Sequence, residues 1–220
     1  MLASHDEGFD AIFAKSSRRF DEGDYHESFA FAQMAMERAD ATDQIARAYD
    51  IMAESLLRAG GRSIQLGKPI DSKFVAAPDQ GPIMETHYFR LLQQATLWWD
   101  KAGKKSQVAA NLFAAATEYM KRGDYEHAID FLNRCAATAK SIDDKHTFAN
   151  VMGELGDLAR AAGKYKEGLK YTWNAYVIFD EEQSPQRKIA EQVMKEIEGK
   201  VGCKNYTQML ADVKGGPLLY

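Results

Sequence analysis

The sequence predicts an all-α protein: four antiparallel helix pairs stacked one on the next, closed by a C-terminal capping helix. Three observations predict it. A short phrase recurs as Gly23-Asp24-Tyr25, Gly123-Asp124-Tyr125 and Gly163-Lys164-Tyr165, the last two copies 40 residues apart. Each copy lies between two helix-like stretches. Its glycine tolerates the left-handed conformation that ends one helix, and the aromatic two residues later is placed to wedge into the joint with the next. The turn glycines Gly103, Gly123 and Gly163 fall at half-period spacing, and small residues recur at matching positions between them. A phrase at such a period is the mark of stacked helical hairpins.

Composition agrees with a packed protein. Of 220 residues, 45% are hydrophobic and 27% charged, with only five prolines, which suits a globular chain rather than a disordered one. The net charge of −4 disfavours nucleic acid as a partner, since binding to phosphates draws on clustered Lys and Arg.

With the phrase glycine at position 15 of a repeat, the first repeat starts at Phe9 and has Phe9, Ile12, Phe13 and Phe20 as its apolar stripe. Lys15, Ser16 and Arg19 occupy positions where small or apolar residues are expected, which reads as the polar outer face of a terminal repeat. The second repeat runs from Ala46 to Ala59 with Tyr49, Met52, Ala53 and Leu56, and Gly60 falls at position 15. From Ala46 to the third repeat at Ala109 is 63 residues, and 63 − 40 leaves 23 extra, the length of the segment Gly61 to Ile83. Helix resumes near Met84 to Ala102 and ends at Gly103.

The third repeat carries Leu112, Ala115, Ala116 and Tyr119, then Ala128, Leu132 and Cys135. The fourth carries Met152, Leu155, Gly156 and Ala159, then Gly168, Thr172 and Ala175. These spacings keep each set on one helix face. The small residues Ala116, Gly156, Ala128 and Gly168 permit close backbone approach where the helices cross. Ser184-Pro185 marks a further helix start, and Ile189, Val193 and Ile197 form a stripe at spacing four, giving a closing helix from Pro185 to about Gly199. Tyr206 to Val213 adds a last turn or two, and the tail Gly215 to Tyr220 is expected to fray.

Residues 9 to 200 resemble tetratricopeptide repeat (TPR) proteins. The likeness rests on Leu155-Gly156, Ala159, Gly163-Lys164-Tyr165 and Gly168 in one copy, and on Ala115-Ala116, Tyr119, Gly123-Asp124-Tyr125 and Ala128 in another. The period is longer than the family's usual one and is similar to the long-helix variants of kinesin light chains, soluble NSF attachment proteins and peptide-sensing bacterial regulators. The resemblance implies a right-handed superhelix whose concave face, lined by first helices, holds a peptide or partner helix. On this reading residues 1–200 are a single domain with the inserted loop 61–83, and residues 201–220 are a short C-terminal extension.

The resemblance also implies which residues point into the groove. The partner-binding candidates are Arg47, Asp50, Glu54 and Arg58 from the second repeat, Phe113, Thr117 and Met120 from the third, and Asn150, Asp157 and Arg160 from the fourth. One reading is helix-surface ion pairing, since Glu54 and Arg58 are an i,i+4 couple. The other is a groove that orients a partner by charge and anchors it on Phe113 and Met120. The chaperone-clamp variant of the family is disfavoured, because Phe13 and Ser17 stand where its Lys and Asn are required. The segment 61–83 contains Ile64, Leu66, Ile70, Phe74 and Val75, too apolar for a plain linker. It is read either as a mobile loop or as a lid over the groove, with Arg62, Lys68 and Phe74 as its contact residues.

No catalytic chemistry emerges. Gly61 to Pro69 superficially matches a phosphate-binding loop, but five residues rather than four separate Gly61 from Gly67, and Pro69 replaces the hydroxyl residue. His5, His26, His87, His127 and His146 never fall at metal-ligand spacing, so no metal or cofactor is expected. Cys135 and Cys203 lie far apart with no CxxC, which fits a reducing compartment, and Cys135 is read as inert core. Trp98 and Trp99 point about 100° apart on one helix, one into the core and the other toward the loop or a partner. The opening Met-Leu-Ala-Ser-His-Asp-Glu lacks a basic-then-apolar leader, and no run approaches the about 18 apolar residues of a membrane span. The expectation is a cytoplasmic, non-catalytic adaptor that binds another protein or peptide without entering a membrane. The alternatives are an effector-gated regulator that senses a small signalling ligand or peptide, and an enzyme on a helical scaffold.

Overall fold

The structure, a computed structural model, describes residues 7–59 and 83–220, and the elements among them are all α-helices. In chain order they are α1 (Phe9–Asp21), α2 (Tyr25–Met36), α3 (Thr42–Arg58), α4 (Ile83–Lys101), α5 (Lys105–Lys121), α6 (Tyr125–Ser141), α7 (Lys145–Ala161), α8 (Tyr165–Glu181), α9 (Arg187–Val201) and α10 (Cys203–Lys214). The inserted segment, with Arg62, Lys68 and Phe74, falls within 60–82 and lies outside the described residues.

The joints follow from backbone chemistry. Gly23 has φ +80°, and its N–H donates to the Phe20 carbonyl while Asp24 N–H reaches back to Arg19. This pairing satisfies two orphan carbonyls at the end of α1. Asp24 then caps α2, its carboxylate accepting from Glu27 N–H at 3.1 Å. Asp124 repeats the cap on His127, and Asp144 on Thr147. In the first two copies one phrase residue therefore stops a helix and the next caps another, while Lys164 in the third makes no side-chain cap.

The same joint recurs where no glycine stands. Asp143 and Gln183 adopt φ 57° and 54°. Asp144 N–H and Ser184 N–H reach back to Ala139 and Phe179, as Asp24 reaches Arg19. A side chain in this region strains the backbone by about 1–2 kcal/mol. Gln183→Gly is therefore expected to raise stability by about 0.5–1 kcal/mol, after the extra chain entropy of glycine is set against the relief. Gly163→Ala, at φ +75° with open space around the added carbon, should lower stability by a similar amount. Urea midpoints of the two variants check both signs.

The contacts divide the chain into two compact units, residues 1–111 and 112–220, with the division inside α5. In the first, α1 packs on α2, α2 on α3, and α3 on α4. Ile12, Phe29, Tyr49 and Met52 are fully enclosed in its core. Ser16, read from the sequence as part of an exposed polar face, is also fully buried. Its hydroxyl donates to the Ser28 carbonyl at 2.7 Å, and Ser55 Oγ donates to Ser28 Oγ at 3.1 Å. Serine here acts as the small crossing residue of the repeat, and its hydroxyl is satisfied by the neighbouring helix.

In the second unit α6 packs on α7, α7 on α8, and α9 and α10 on α8. A carbon added to Gly168 would lie 3.1 Å from the Gly156 carbonyl, so the backbones of α7 and α8 nearly touch. Leu132, Cys135, Val151 and Leu169 lie in the interior. Tyr165 packs against Leu169, Met194 and Ile197, toward α9, and Tyr125 is 55% exposed. At that joint Tyr119 stacks on His127 and Phe131 instead, at 5.1 and 5.4 Å.

The C-terminal region differs most from expectation. The closing helix starts at Arg187, not Pro185, and buries Ala190, Met194 and Ile197 while Ile189 faces solvent. Steps of four drift by about 40° each on a 3.6-residue helix, so steps of four and then three hold the buried line. The expected turn or two is the full helix α10. Its Tyr206, Met209, Leu210 and Val213 pack against Leu169, Met194 and Ile197. The tail does not fray: Leu219 N–H donates to Asn174 Oδ1 at 2.6 Å.

Candidate functional site

The candidate residues lie on α3, α5 and α7, the first helices of their pairs. Amphipathic packing dictates what remains uncovered. On α7, Phe148, Ala149, Met152, Leu155, Gly156 and Ala159 are buried, which leaves Asn150, Gly153, Glu154, Asp157 and Arg160 half-buried on the remaining surface.

In the first unit, α3 presents Arg47, Asp50, Glu54 and Arg58. The Arg47 guanidinium lies over the Phe13 ring at 4.4 Å and the Phe9 ring at 5.4 Å, and pairs with Asp10 at 3.5 Å. Glu54 and Arg58 form the expected intrahelical couple at 3.7 Å, both well exposed; such a pair adds little stability. Asp50 is held more firmly. Its carboxylate accepts from Trp99 Nε1 at 2.5 Å and from Asn111 Nδ2 at 2.8 Å. Burial pushes its pKa up, the neighbouring Glu54 adds to the rise, and the two hydrogen bonds oppose it. Trp99 is thus the core tryptophan, while Trp98 is half-buried under the Lys101 ammonium, 4.1 Å from the ring centre.

In the second unit, Phe113, Thr117 and Met120 are half-buried on α5. Thr117 Oγ1 donates to the Phe113 carbonyl at 3.0 Å, so the hydroxyl is turned back to its own helix. On α7, Arg160 clasps Asp157 at 3.0 Å and reaches Glu196 of α9 at 3.2 Å. Glu154 has no ion-pair partner among the described residues. Its pKa is raised by burial and then by the charge of Asp157. A half-buried carboxylate beside another carboxylate is stabilised by an incoming cation. Next to it Gly153 has open space where a side chain would stand.

Sequence reasoning missed Glu154, Glu196, Trp99 and Asn111 as members of these clusters. Glu154 lies between two inward positions, and Glu196 belongs to the closing helix, outside the repeat pattern. No group of three or more metal-ligating side chains is gathered among the described residues. Cys135 is enclosed, and burial first, then Asp144, pushes its thiol up to about 12; that suits packing rather than nucleophilic attack. No described helix is long and apolar enough to cross a membrane.

No family model matches this chain, and no curated protein does. Solved structures do. BtubC (BKLC) from P. vanneervenii is 14% identical at a TM-score of 0.61, over 93% of this chain and 76% of its own. Nearly identical TPR-like repeats of a putative kinesin light chain from Podosopora anserina match at 12% identity and a TM-score of 0.58, over 94% of this chain and 93% of theirs. A further structure of those repeats matches at 13% and 0.59, over 94% of this chain and 92% of its own. At these identities the likeness is one of fold, and the fold is TPR-like: an all-α scaffold of helical repeats.

Proposed function

We propose that this protein is a non-catalytic, cytoplasmic adaptor that binds a peptide or helical segment of another protein along the uncovered stripes of its first helices. The observation that supports this reading is the surface of α7. There the half-buried Glu154 lacks an ion-pair partner among the described residues beside the open space at Gly153, with Asn150, Asp157 and Arg160 along the same helix. Such a surface suits a partner segment carrying Lys or Arg, with Phe113 and Met120 of α5 as apolar anchors. Arg47, Asp50, Glu54 and Arg58 of α3, with Thr117, complete the proposed set.

Capture on the immobilised protein followed by mass spectrometry tests it. One dominant protein partner is expected. Phe113→Ala with Met120→Ala should weaken that partner by about 30-fold or more, at over about 1 kcal/mol per anchor. Unchanged affinity, with the helical circular dichroism retained, would remove the anchors from the proposal. A stabilising small molecule with no protein partner would favour the effector-gated alternative.

A further inference from the structure

We propose that α8 and the α6–α7 joint form a peptide-reading site, separate from the first-helix stripes, and that the chain's own segment Pro217–Tyr220 occupies it as an internal ligand. The site begins with a buried asparagine. Asn174 is 2% exposed, and its amide N–H donates to the Lys170 carbonyl one turn back at 2.8 Å. That bond fixes the side chain and aims its oxygen at the backbone N–H of Leu219, 2.6 Å away. On the other side of the same residue, Lys140 Nζ donates to the Leu219 carbonyl at 3.0 Å. Two side chains from α6 and α8 therefore read both backbone polar groups of one residue. Readout of this kind recognises backbone rather than side chain.

The following residue supplies the selectivity. The Tyr220 hydroxyl donates to the Asp143 carboxylate at 2.7 Å, its ring meets the Phe148 ring edge-on at 5.0 Å, and Lys145 Nζ lies 5.6 Å from its centre. Leu218, by contrast, is 50% exposed. The ligand class is thus a segment with a free N–H at one residue and a tyrosine next, indifferent to the residue before them.

Asp143 gives this assignment independent support. It stands at a joint position that is glycine at 103, 123 and 163, and it adopts the left-handed φ of 57°. Glycine would remove the strain, but it would also remove the carboxylate that receives the phenol. The segment is joined to α10 through Gly215 and Gly216, whose N–H groups donate to the Ala211 and Val213 carbonyls.

The test supplies the segment in trans. A fluorescein-labelled peptide of residues 214–220, Lys-Gly-Gly-Pro-Leu-Leu-Tyr, is titrated by polarisation against the full chain and against its Leu219→Pro/Tyr220→Ala double variant. The variant's own segment lacks both the donor N–H and the phenol. The peptide is expected to bind the variant at least tenfold more tightly than the wild type. A peptide carrying the same two substitutions should not compete, whereas one with Leu218→Ala should compete fully. No binding to the folded variant at millimolar peptide, or equal binding to both proteins, overturns the proposal. Hydrogen exchange on the wild type gives a second reading that needs no variant. The Leu219 amide should exchange at least tenfold more slowly than in the free peptide, and exchange at the free-peptide rate would also overturn it.

Discussion

Gly156→Ala is expected to lower stability by about 2 kcal/mol, although the same change in a free helix raises it. Alanine is favoured over glycine in a helix interior by about 1 kcal/mol. At Gly156 the added carbon would meet Thr172 Oγ1 at 2.4 Å, Thr172 N at 3.2 Å and the Gly168 carbonyl at 3.3 Å. The hydroxyl can rotate away, but the two backbone atoms move only if α7 and α8 separate, and overpacking of this kind costs roughly 1–3 kcal/mol. Gly199, in α9 with open space around it, is the internal control: Gly199→Ala should stabilise by about 0.5–1 kcal/mol. Opposite signs from one substitution would locate the effect in the crossing. Adding Thr172→Ala to Gly156→Ala should recover part of the loss, a coupling expected between touching residues. Urea denaturation of these variants, with Thr172→Ala alone, measures all of it. A gain in stability from Gly156→Ala would show that the two helices pack less closely than described.

The crossing was legible because glycine and alanine at fixed offsets have one physical meaning in a helical repeat. Joints were legible for the same reason at Gly23, Gly103, Gly123 and Gly163. At Asp143 and Gln183 the period continued without its marker, since nothing in an aspartate or glutamine announces a left-handed backbone. Ser16 was misread because a hydroxyl looks polar in sequence, yet the carbonyl of its neighbour Ser28 satisfies it in the interior. Ile189 was misread because apolar residues at steps of four selected it, while the drift of such steps on a 3.6-residue helix puts Ala190 on the buried line.

Long-range partners explain the remainder. Asn174 and Leu219 are 45 positions apart, and no local pattern connects a mid-helix asparagine to a glycine-rich tail. The groove stripes were read from the resemblance. What the structure adds is which members are engaged, Asp50 and Arg160 above all, and which side chain beside them, Glu154, is left without an ion-pair partner among the described residues.

Replacing Asp50 by alanine is expected to cost about 3 kcal/mol at neutral pH. Its carboxylate holds Trp99 of α4 and Asn111 of α5 at once. Hydrogen bonds to a charged group contribute roughly 1.5–3 kcal/mol each, and relief of a partly desolvated charge offsets some of that. The indole N–H of Trp99, a residue only 7% exposed, would be left without its acceptor. Asp50→Asn keeps one acceptor oxygen and should cost about half as much. The pH dependence gives a sharper test. Burial raises the Asp50 pKa above its ordinary 3.8, so the folded protein takes up this proton before the unfolded chain does. The contribution of Asp50 is therefore fully present below its unfolded pKa and declines as pH rises through the raised folded value. Asparagine does not titrate, so the Asp50→Asn penalty should be larger near pH 4 than at pH 7. Tryptophan fluorescence during urea unfolding at the two pH values reads it. A penalty that grows with rising pH would mean that the two hydrogen bonds outweigh burial and that the carboxylate is favoured in its charged form.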